Sequence, residues 1–226
     1  MTTRAVEDYL KTIYKLQQGG SRASTNAIAE KMGVRAASVT SMLQQLSEQG
    51  LVDYAPYRGA YLTTLGLATG LRVIRRHRLI ELYLHQHLSV PWDRVHEEAE
   101  RLEHAISPYL EERIDNLLGY PGFDPHGAPI PTDAGEIAAE DVIPLSELPL
   151  NMPSVVGHIP DEDSALLRDA ASLDLLPGAT VTVTRRQSSD GALSVVVTPA
   201  HATSERTHEV GAELACRVLV NRPELN

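Results

Sequence analysis

The chain has 226 residues, enough for one large domain or for two to three small ones. It lacks an apolar run near the roughly 18 residues that span a bilayer, and its N-terminus, MTTRAVEDYL, is unlike a secretory signal, so we expect a cytoplasmic protein without a membrane partner. The single cysteine, Cys216, excludes an intrachain disulfide and a Cys-based zinc finger.

The net charge of −10 is unevenly distributed along the chain. Residues 1–78 contain 11 Lys/Arg and 5 Asp/Glu, a balance of +6, whereas residues 79–226 contain 9 and 25, a balance of −16. Such asymmetry is typical of a protein with a basic binding surface in one part and an acidic remainder, and it favours a nucleic-acid partner. Ordinary domains also vary this much, so charge alone leaves the question open.

The first 63 residues predict three helices and a hairpin. Apolar residues from Val6 to Leu16 recur every three to four positions and predict a helix ended by Gly19-Gly20. Ser24 or Thr25 caps a short helix that ends at Gly33. A third helix ends at Gly50 and has an apolar face, formed by Val39, Met42, Leu43 and Leu46. Residues 51–63, LVDYAPYRGAYLT, predict a strand, a turn with Arg58-Gly59 at its tip, and a second strand.

The remaining chain falls into three zones. Helices are predicted at roughly 64–88 and 93–106. Residues 120–153 hold seven of the fourteen prolines, which indicates a linker or an irregular arm. Beyond them we predict a helix in DEDSALLRDAASLDLLPG, a hairpin of 180–186 and 192–198 around Ser188-Ser189-Asp190-Gly191, and a strand at CRVLV, 216–220. These elements fit a small β-barrel with one or two helices.

The order helix, tight glycine turn, helix and hairpin is that of a winged helix-turn-helix. The second helix of the pair carries small or polar residues opposite its apolar face, which would let it approach the major-groove floor: Arg35, Ala36, Ala37, Ser38, Thr40 and Ser41. Arg58 on the wing, with Arg22 or Lys31 nearby, can hold phosphates. These features together predict binding to double-stranded DNA. A generic three-helix interaction domain is the alternative.

Residues 95–104, VHEEAERLEH, hold the strongest constellation of metal-ligating side chains. At about 100° per residue, two imidazoles and two carboxylates share roughly a third of the helix circumference: His96, Glu100, Glu103 and His104. A second pair, His77 and Glu81, has i, i+4 spacing on the preceding helix, and Asp8 lies on the first helix. The carboxylates in such a cluster repel one another unless positive charge lies between them, although solvated faces or salt bridges explain each pattern taken alone.

Several of these segments, taken together, resemble the diphtheria toxin repressor and manganese transport regulator family of bacterial metalloregulators. The resemblance covers nearly the whole chain and rests on EDYLKTIYKL (7–16), IAEKMGVRAASVTSMLQQLSEQGLV (28–52), YRGAYLTTLG (57–66), HRLIE (77–81) and VHEEAERLEH (95–104). It implies a mainly α fold with a small β part: a winged helix at 1–63, a helical metal-binding and dimerisation domain at 64–119, a linker at 120–153, and an SH3-like barrel at 154–226. It also implies a homodimer that binds a palindromic operator, with divalent metal as corepressor.

The resemblance also implies metal ligands. The regulatory site would take Asp8 from the first helix together with Glu100, Glu103 and His104. A second site would take His77, Glu81 and His96, with an oxygen donor from the C-terminal domain. Asp163 is the best match for that donor, and Asp161 and Glu162 are alternatives.

The donor types favour manganese over iron. Iron-responsive family members place a methionine where Asp8 stands and a cysteine where Glu100 stands, and hard oxygen ligands in their place favour Mn²⁺. Lys11 occupies the position of the second acid that paired-manganese members use, so we expect one primary and one ancillary site, about two sites per subunit. We therefore predict a manganese-dependent repressor of metal-uptake genes and not an enzyme. The alternatives are an iron-dependent regulator, a metalloenzyme that uses the same donors, and a winged-helix regulator whose acidic face binds a protein or small molecule.

Overall fold

A computed structural model describes residues 3–18, 20–187, 191–200 and 202–223. The chain divides into two compact units, Met1–Arg76 with Pro131–Glu136 and His77–Ile130 with Ile137–Asn226.

The first unit contains three helices, a hairpin and the beginning of a fourth helix: α1 (Arg4–Gln17), α2 (Thr25–Met32), α3 (Ala36–Glu48), β1 (Val52–Ala55), β2 (Gly59–Leu62) and α4 (Thr64–Leu88). The side chain of Ser24 caps α2 by accepting a hydrogen bond from Ala27 N at 3.1 Å, and Gly33 ends it in the left-handed region at φ 64°. Both boundaries agree with the sequence prediction, as does the hairpin. Gly19, predicted to help end α1, lies outside the described residues.

The core of this unit lies between the three helices and the hairpin. The predicted apolar face of α3 points inward, with Val39, Leu43 and Leu46 fully buried and Met42 partly buried against them. Leu10, Ile13 and Ile28 complete the centre of the cluster. The opposite face of α3 is therefore left at the surface.

The second unit begins with the second half of α4 and two shorter helices, α5 (Val95–Leu102) and α6 (Pro108–Leu117). Helix α5 is shorter than the predicted 93–106, because it begins after Arg94 and Glu103 is its C-cap. Helix α6 was not predicted separately; it begins where Ser107 accepts a hydrogen bond from Leu110 N and Pro108 occupies the first turn.

The rest of the second unit is a six-stranded antiparallel sheet with two helices. Its elements are β3 (Val142–Pro144), β4 (Pro153–His158), α7 (Ser164–Ser172), β5 (Thr180–Arg186), β6 (Leu193–Thr198), β7 (Arg206–Val210), α8 (Ala212–Arg217) and β8 (Leu219–Asn221), and the strand order is β3-β8-β4-β5-β6-β7. The predicted β5–β6 pair and the helix before it are present. Three turn residues, Ser188, Ser189 and Asp190, lie outside the described part.

Two expectations for this region were wrong in part. The segment CRVLV forms a strand only from Leu219, because Cys216 and Arg217 end α8. The stretch 120–153 is not simply a linker, since it supplies β3 and the buried core residues Leu145 and Leu148. Its prolines are compatible with a sheet: Pro144 ends an edge strand and Pro153 is the first residue of β4.

The predicted fold class is confirmed: a mainly helical chain with a winged helix-turn-helix at its start and a small β domain at its end. The exact domain boundaries stay a prediction. No described helix has both the length and the apolar character that crossing a membrane requires.

Candidate metal centres and DNA interface

Four side chains converge in the second unit, and three of them were predicted as one site. His77 and Glu81 lie one turn apart on α4, His96 lies on α5, and Asp161 lies between β4 and α7. The Oε1 atom of Glu81 is 3.0 Å from Nε2 of His77 and 3.2 Å from Nδ1 of His96, and that Nδ1 is 3.0 Å from Asp161 Oδ2. One donor atom from each residue falls within 4.8 Å of all the others, which is the spacing of a metal site. We call these four residues the His77 cluster.

The electrostatics of the His77 cluster are strong because His77 and Glu81 are buried and His96 and Asp161 are half-buried. Burial raises the pKa of Glu81, but attraction to His77 and hydrogen bonds from His77 and His96 outweigh burial and lower that pKa to about 2. Burial lowers the pKa of His96, whereas its hydrogen bonds to Asp161 and Glu81 raise it, and the net pKa is about 9. Without an ion, the imidazolium of His96 therefore supplies positive charge that the two carboxylates need.

Glu103 orients one ligand of this cluster. Its carboxylate is fully buried at the end of α5, and its Oε2 lies 2.5 Å from His77 Nδ1. Because a carboxylate can only accept, Nδ1 carries the proton, and Nε2 of a neutral His77 is left as an electron-pair donor toward the cluster. The other oxygen of Glu103, Oε1, lies 3.2 Å from His104 Nε2. Donor atoms of His77, Glu100 and Glu103 also fall within 4.8 Å of one another.

A second group of donors also includes Glu81, and its other two members, Asp124 and His126, were missed from the sequence. Glu81, Asp124 and His126 are all buried, and one donor atom from each falls within 4.8 Å of the others. Glu81 Oε2, Asp124 Oδ2 and His126 Nδ1 are buried atoms without a hydrogen-bond partner among the described residues. The nearest cation to Asp124 Oδ2 is Arg78, whose Nε is 3.5 Å away. We call Glu81, Asp124 and His126 the inner triad.

The protonation of the inner triad is set by its burial. Burial raises the pKa of Asp124 to about 7, helped by the charge of Glu81 and opposed by Arg78. Burial also lowers the pKa of His126, so the imidazole is neutral near pH 7. Its Nε2 lies 3.0 Å from the carbonyl oxygen of Trp92 and donates a hydrogen bond to it. The other nitrogen, Nδ1, is therefore unprotonated, and its lone pair is available to a metal ion. Three orphaned buried donors of this kind fit a divalent cation.

The remaining predicted ligands are placed as follows. Glu100, Glu103 and His104 lie at the end of α5 in the second unit, whereas Asp8 lies half-buried on α1 in the first, 3.8 Å from Arg4 Nε. The joint action of Asp8 with the other three stays a prediction. Asp163 is not in the His77 cluster, because its carboxylate caps α7 by accepting hydrogen bonds from Ala165 N and Leu166 N. Asp161, one of the two alternatives, is the residue that joins the cluster.

The predicted DNA-reading face of α3 is at the surface. Arg35, Ala37, Ser38 and Ser41 are exposed and Thr40 is half-exposed, with its hydroxyl donating to the carbonyl of Ala36 at 3.1 Å. Arg58 is exposed at the end of the hairpin turn. Such a face, small and polar above a packed apolar side, is what a helix needs in order to enter a major groove.

Comparison with known proteins agrees with a DNA-binding, metal-dependent regulator. Three family models match consecutive parts of the chain: the N-terminal DNA binding domain of iron dependent repressors over residues 1–60, their metal binding and dimerisation domain over 63–143, and the FeoA domain over 143–222. The chain belongs to the diphtheria toxin repressor family of metal-dependent transcriptional repressors, in its three-domain form. The matched relatives are transcriptional regulators rather than enzymes.

Individual relatives include both iron and manganese regulators. The iron-dependent repressor IdeR of Mycobacterium leprae is 32% identical over 217 residues, which is 90% of this chain and 93% of that protein. The regulator MntR of Oceanobacillus iheyensis is 37% identical over 120 residues, 53% of this chain and 81% of that protein. A solved manganese-dependent transcriptional repressor in complex with manganese is 35% identical with a TM-score of 0.86, covering 96% of this chain and 99% of its own.

Proposed function

We propose that the chain is a manganese-responsive repressor of metal-uptake genes, with the metal as corepressor. The observation that supports manganese is the donor chemistry: every residue in the described clusters offers a carboxylate oxygen or an imidazole nitrogen. Cys216, the single cysteine, is exposed on α8 and belongs to none of the clusters in the described part of the chain. Hard oxygen donors suit Mn²⁺, and softer sulfur donors would favour other ions.

An iron-responsive regulator is the second candidate, because IdeR is similar over nearly its whole length. Against it, Asp8 and Glu100 stand where the iron-responsive members carry methionine and cysteine. Affinity alone does not decide between the two metals, since many divalent ions occupy a site of nitrogen and oxygen donors in vitro. The response of DNA binding to each metal is therefore the deciding quantity.

For the primary site we propose Glu100, Glu103 and His104 with Asp8, the set that the family resemblance implies. In this proposal the metal supplies positive charge that offsets the repulsion between the carboxylates. The residues of the chain then act through their positions. Asp8 is part of α1, the helix that precedes the DNA-reading pair, whereas Glu100 lies in the last turn of α5 and Glu103 and His104 come directly after it. A shared ion would bias the chain toward the state that binds DNA, by about 1–3 kcal/mol for a typical coupled pair of sites.

For the second site we propose that the ion binds at Glu81. Its Oε1 faces His77, His96 and Asp161, and its Oε2 is the orphaned atom of the inner triad. Glu81 is therefore common to the His77 cluster and the inner triad. In the His77 cluster, the hydrogen bond from His77 Nδ1 to Glu103 orients the imidazole and would leave Nε2 of the neutral ring available to bind the ion.

The experiment compares DNA binding at buffered free Mn²⁺ and, without oxygen, Fe²⁺. The probe is a duplex selected from a random-sequence pool by the wild-type chain, and binding is followed by fluorescence anisotropy. Metal binding is followed separately through Trp92, the single tryptophan, whose ring centroid is 5.1 Å from that of His126. Asp8→Ala tests the primary site, and His77→Ala and His126→Ala test the two sides of Glu81. His87→Ala is the matched control, since His87 is exposed on α4 and outside the described clusters.

We expect Mn²⁺ to raise DNA affinity at lower free concentration than Fe²⁺, and Asp8→Ala to abolish that response while the control keeps it. Loss of one bound ion in His77→Ala but not in His126→Ala would place the second ion in the His77 cluster, and the reverse would place it in the inner triad. Equal DNA affinity with and without either metal in the wild type would contradict the corepressor function. If only Fe²⁺ raised DNA affinity, the chain would be an iron-responsive regulator and not a manganese-responsive one.

A further inference from the structure

The tip of the wing contains a tyrosine in a strained and fully exposed position. Residues 55–58 form a turn in which Arg58 N donates to Ala55 O at 3.0 Å, with Pro56 at the second position and Tyr57 at the third. Tyr57 has φ 64°, in the region that the third position of a type II turn requires and that Gly or Asn normally fills. Its side chain is entirely exposed to solvent. The fold thus keeps a bulky aromatic residue where a smaller residue would relieve strain and no core contact is gained.

Several contacts attach the base of the wing to the segment that precedes α2. Arg22 bridges both strands: its Nη1 donates to Asp53 O at 3.1 Å and to Gly59 O at 3.3 Å, and its Nη2 lies 2.5 Å from Asp53 Oδ2. Ala23 and Ala60 exchange backbone hydrogen bonds of 3.0 and 2.9 Å. A Cβ on Gly59 would lie 2.4 Å from Ala23 O, so the hairpin packs directly on the preceding segment.

We propose that Tyr57 is a DNA-contacting residue that enters the minor groove beside the base pairs faced by α3. The inference rests on the DNA-binding function of this domain and goes beyond it by assigning a contact that is not a phosphate contact. DNA is the occupant that the surroundings favour: Arg58 follows in the chain, Arg22 neutralises Asp53 at the base, and the first 78 residues carry a net +6. The minor groove is about 6 Å wide, and proteins that bind it frequently insert apolar side chains between its base steps.

Tyr57→Gly is the decisive variant, because it separates stability from binding. Glycine adopts a positive φ without strain, so this variant should melt at the same temperature as the wild type or higher. The matched control is Tyr120→Gly, which also removes an exposed tyrosine with positive φ, 58°, but in the second unit. All variants are full-length and are tested with the duplex selected by the wild-type chain in buffered Mn²⁺.

We expect Tyr57→Gly to weaken DNA binding by about fivefold to tenfold, and Tyr120→Gly to leave it unchanged. Hydroxyl-radical footprinting, which reports the minor-groove side of the sugars, should show loss of protection under the wing only for Tyr57→Gly. If Tyr57→Gly melts at a lower temperature, Tyr57→Asn, which also tolerates this φ, replaces it in both measurements.

Unchanged affinity and footprint in a folded Tyr57 variant would overturn the inference, as would an equal loss in Tyr120→Gly. Failure of the proposed function is a distinguishable result. If the wild type selects DNA in Fe²⁺ but not in Mn²⁺, the manganese assignment fails, and the variants are compared in Fe²⁺ with the same expected outcome.

Discussion

Replacing Glu81 by glutamine tests whether the buried carboxylate stabilises the metal-free protein. Glu81→Gln removes the negative charge while keeping the size of the side chain and one of its oxygens, so it creates no cavity in α4. Because the change is made at a residue with zero exposure, solvent screening does not weaken its effect. The measurement is made with a chelator present, so that differences in metal binding do not contribute.

The structure gives the expected magnitude. Burial raises the pKa of Glu81, but His77 and the hydrogen bonds from His77 and His96 lower it from the ordinary 4.5 to about 2. At about 1.4 kcal/mol for each pKa unit, the ionised carboxylate stabilises the folded state by about 3 kcal/mol. Since the folded-state pKa is the lower one, this contribution is complete above about pH 4.5 and is lost as the pH falls toward 2. The deficit of Glu81→Gln should therefore be largest near pH 7 and shrink below pH 4.5.

The assay is urea unfolding, followed by the fluorescence of Trp92, at pH 7 and at pH 4. Glu97→Gln is the matched control, because Glu97 is exposed on α5 and the same change there should have almost no effect. A Glu81→Gln variant as stable as the wild type at pH 7 would refute the reasoning. It would mean that the cost of burying the carboxylate is at least as large as its attraction to the two histidines.

Four further predictions concern the caps, the DNA interface and the inner triad. Ser24→Ala should lower the free energy of unfolding of the first unit by about 1 kcal/mol, because Ala27 N loses its side-chain acceptor, and an unchanged urea midpoint would contradict the cap. Arg58→Ala should weaken binding to all duplexes and reduce the salt dependence by about one phosphate contact; a change confined to one sequence would indicate base contact instead. Arg35→Ala should alter the sequence preference in a selection experiment, and an unaltered preference would argue against base reading. Because the Asp124 pKa is about 7, the Mn²⁺ affinity of the inner triad should rise by up to about tenfold per pH unit as the pH is raised toward 7. Calorimetry on His77→Ala measures this affinity, and an affinity that does not change with pH would contradict the prediction.

The elements that the sequence predicted well are those specified by local chemistry. Helix α2 begins at Ser24 and ends at Gly33, because a hydroxyl satisfies the free N–H groups at one end and a left-handed glycine closes the other. Helix α4 spans Thr64–Leu88, as predicted, because its apolar residues repeat along the whole length without an internal proline. In both cases the deciding interactions join residues within about four positions of one another.

The elements that were missed depend on partners far away in the chain. Strand β3 has three residues and becomes a strand only by pairing with β8, as Val142 pairs with Asn221. Strand β7 pairs with β6, and its alternation is weak because Arg206 and Thr207 are both exposed. Such short strands carry little periodicity, and the residues that hold them cannot be identified from neighbours in the sequence.

The metal ligands also divide into those that local spacing predicts and those that depend on distant partners. His77 with Glu81 and His96 with Glu100 were visible because i, i+4 spacing puts them on one side of a helix. Asp161 could not be distinguished from Asp163 by spacing, because the choice depends on which carboxylate caps α7. Asp163 accepts two hydrogen bonds from the N-terminus of that helix, whereas Asp161 faces His96.

Asp124 and His126 lay in a stretch whose seven prolines favoured a linker, although the segment Phe123–Gly127 places an aspartate and a histidine two residues apart. That spacing alone means little. It gains meaning only because Asp124 Oδ1 accepts hydrogen bonds from His126 N and Ala128 N, which fold the segment into a tight turn and leave Oδ2 free of backbone partners. The donation from His126 Nε2 to Trp92 then directs Nδ1 to the same place. A polar pair inside a proline-rich segment is therefore better judged by asking which of its atoms the local backbone will satisfy, because the atoms left over are the ones available to a cation.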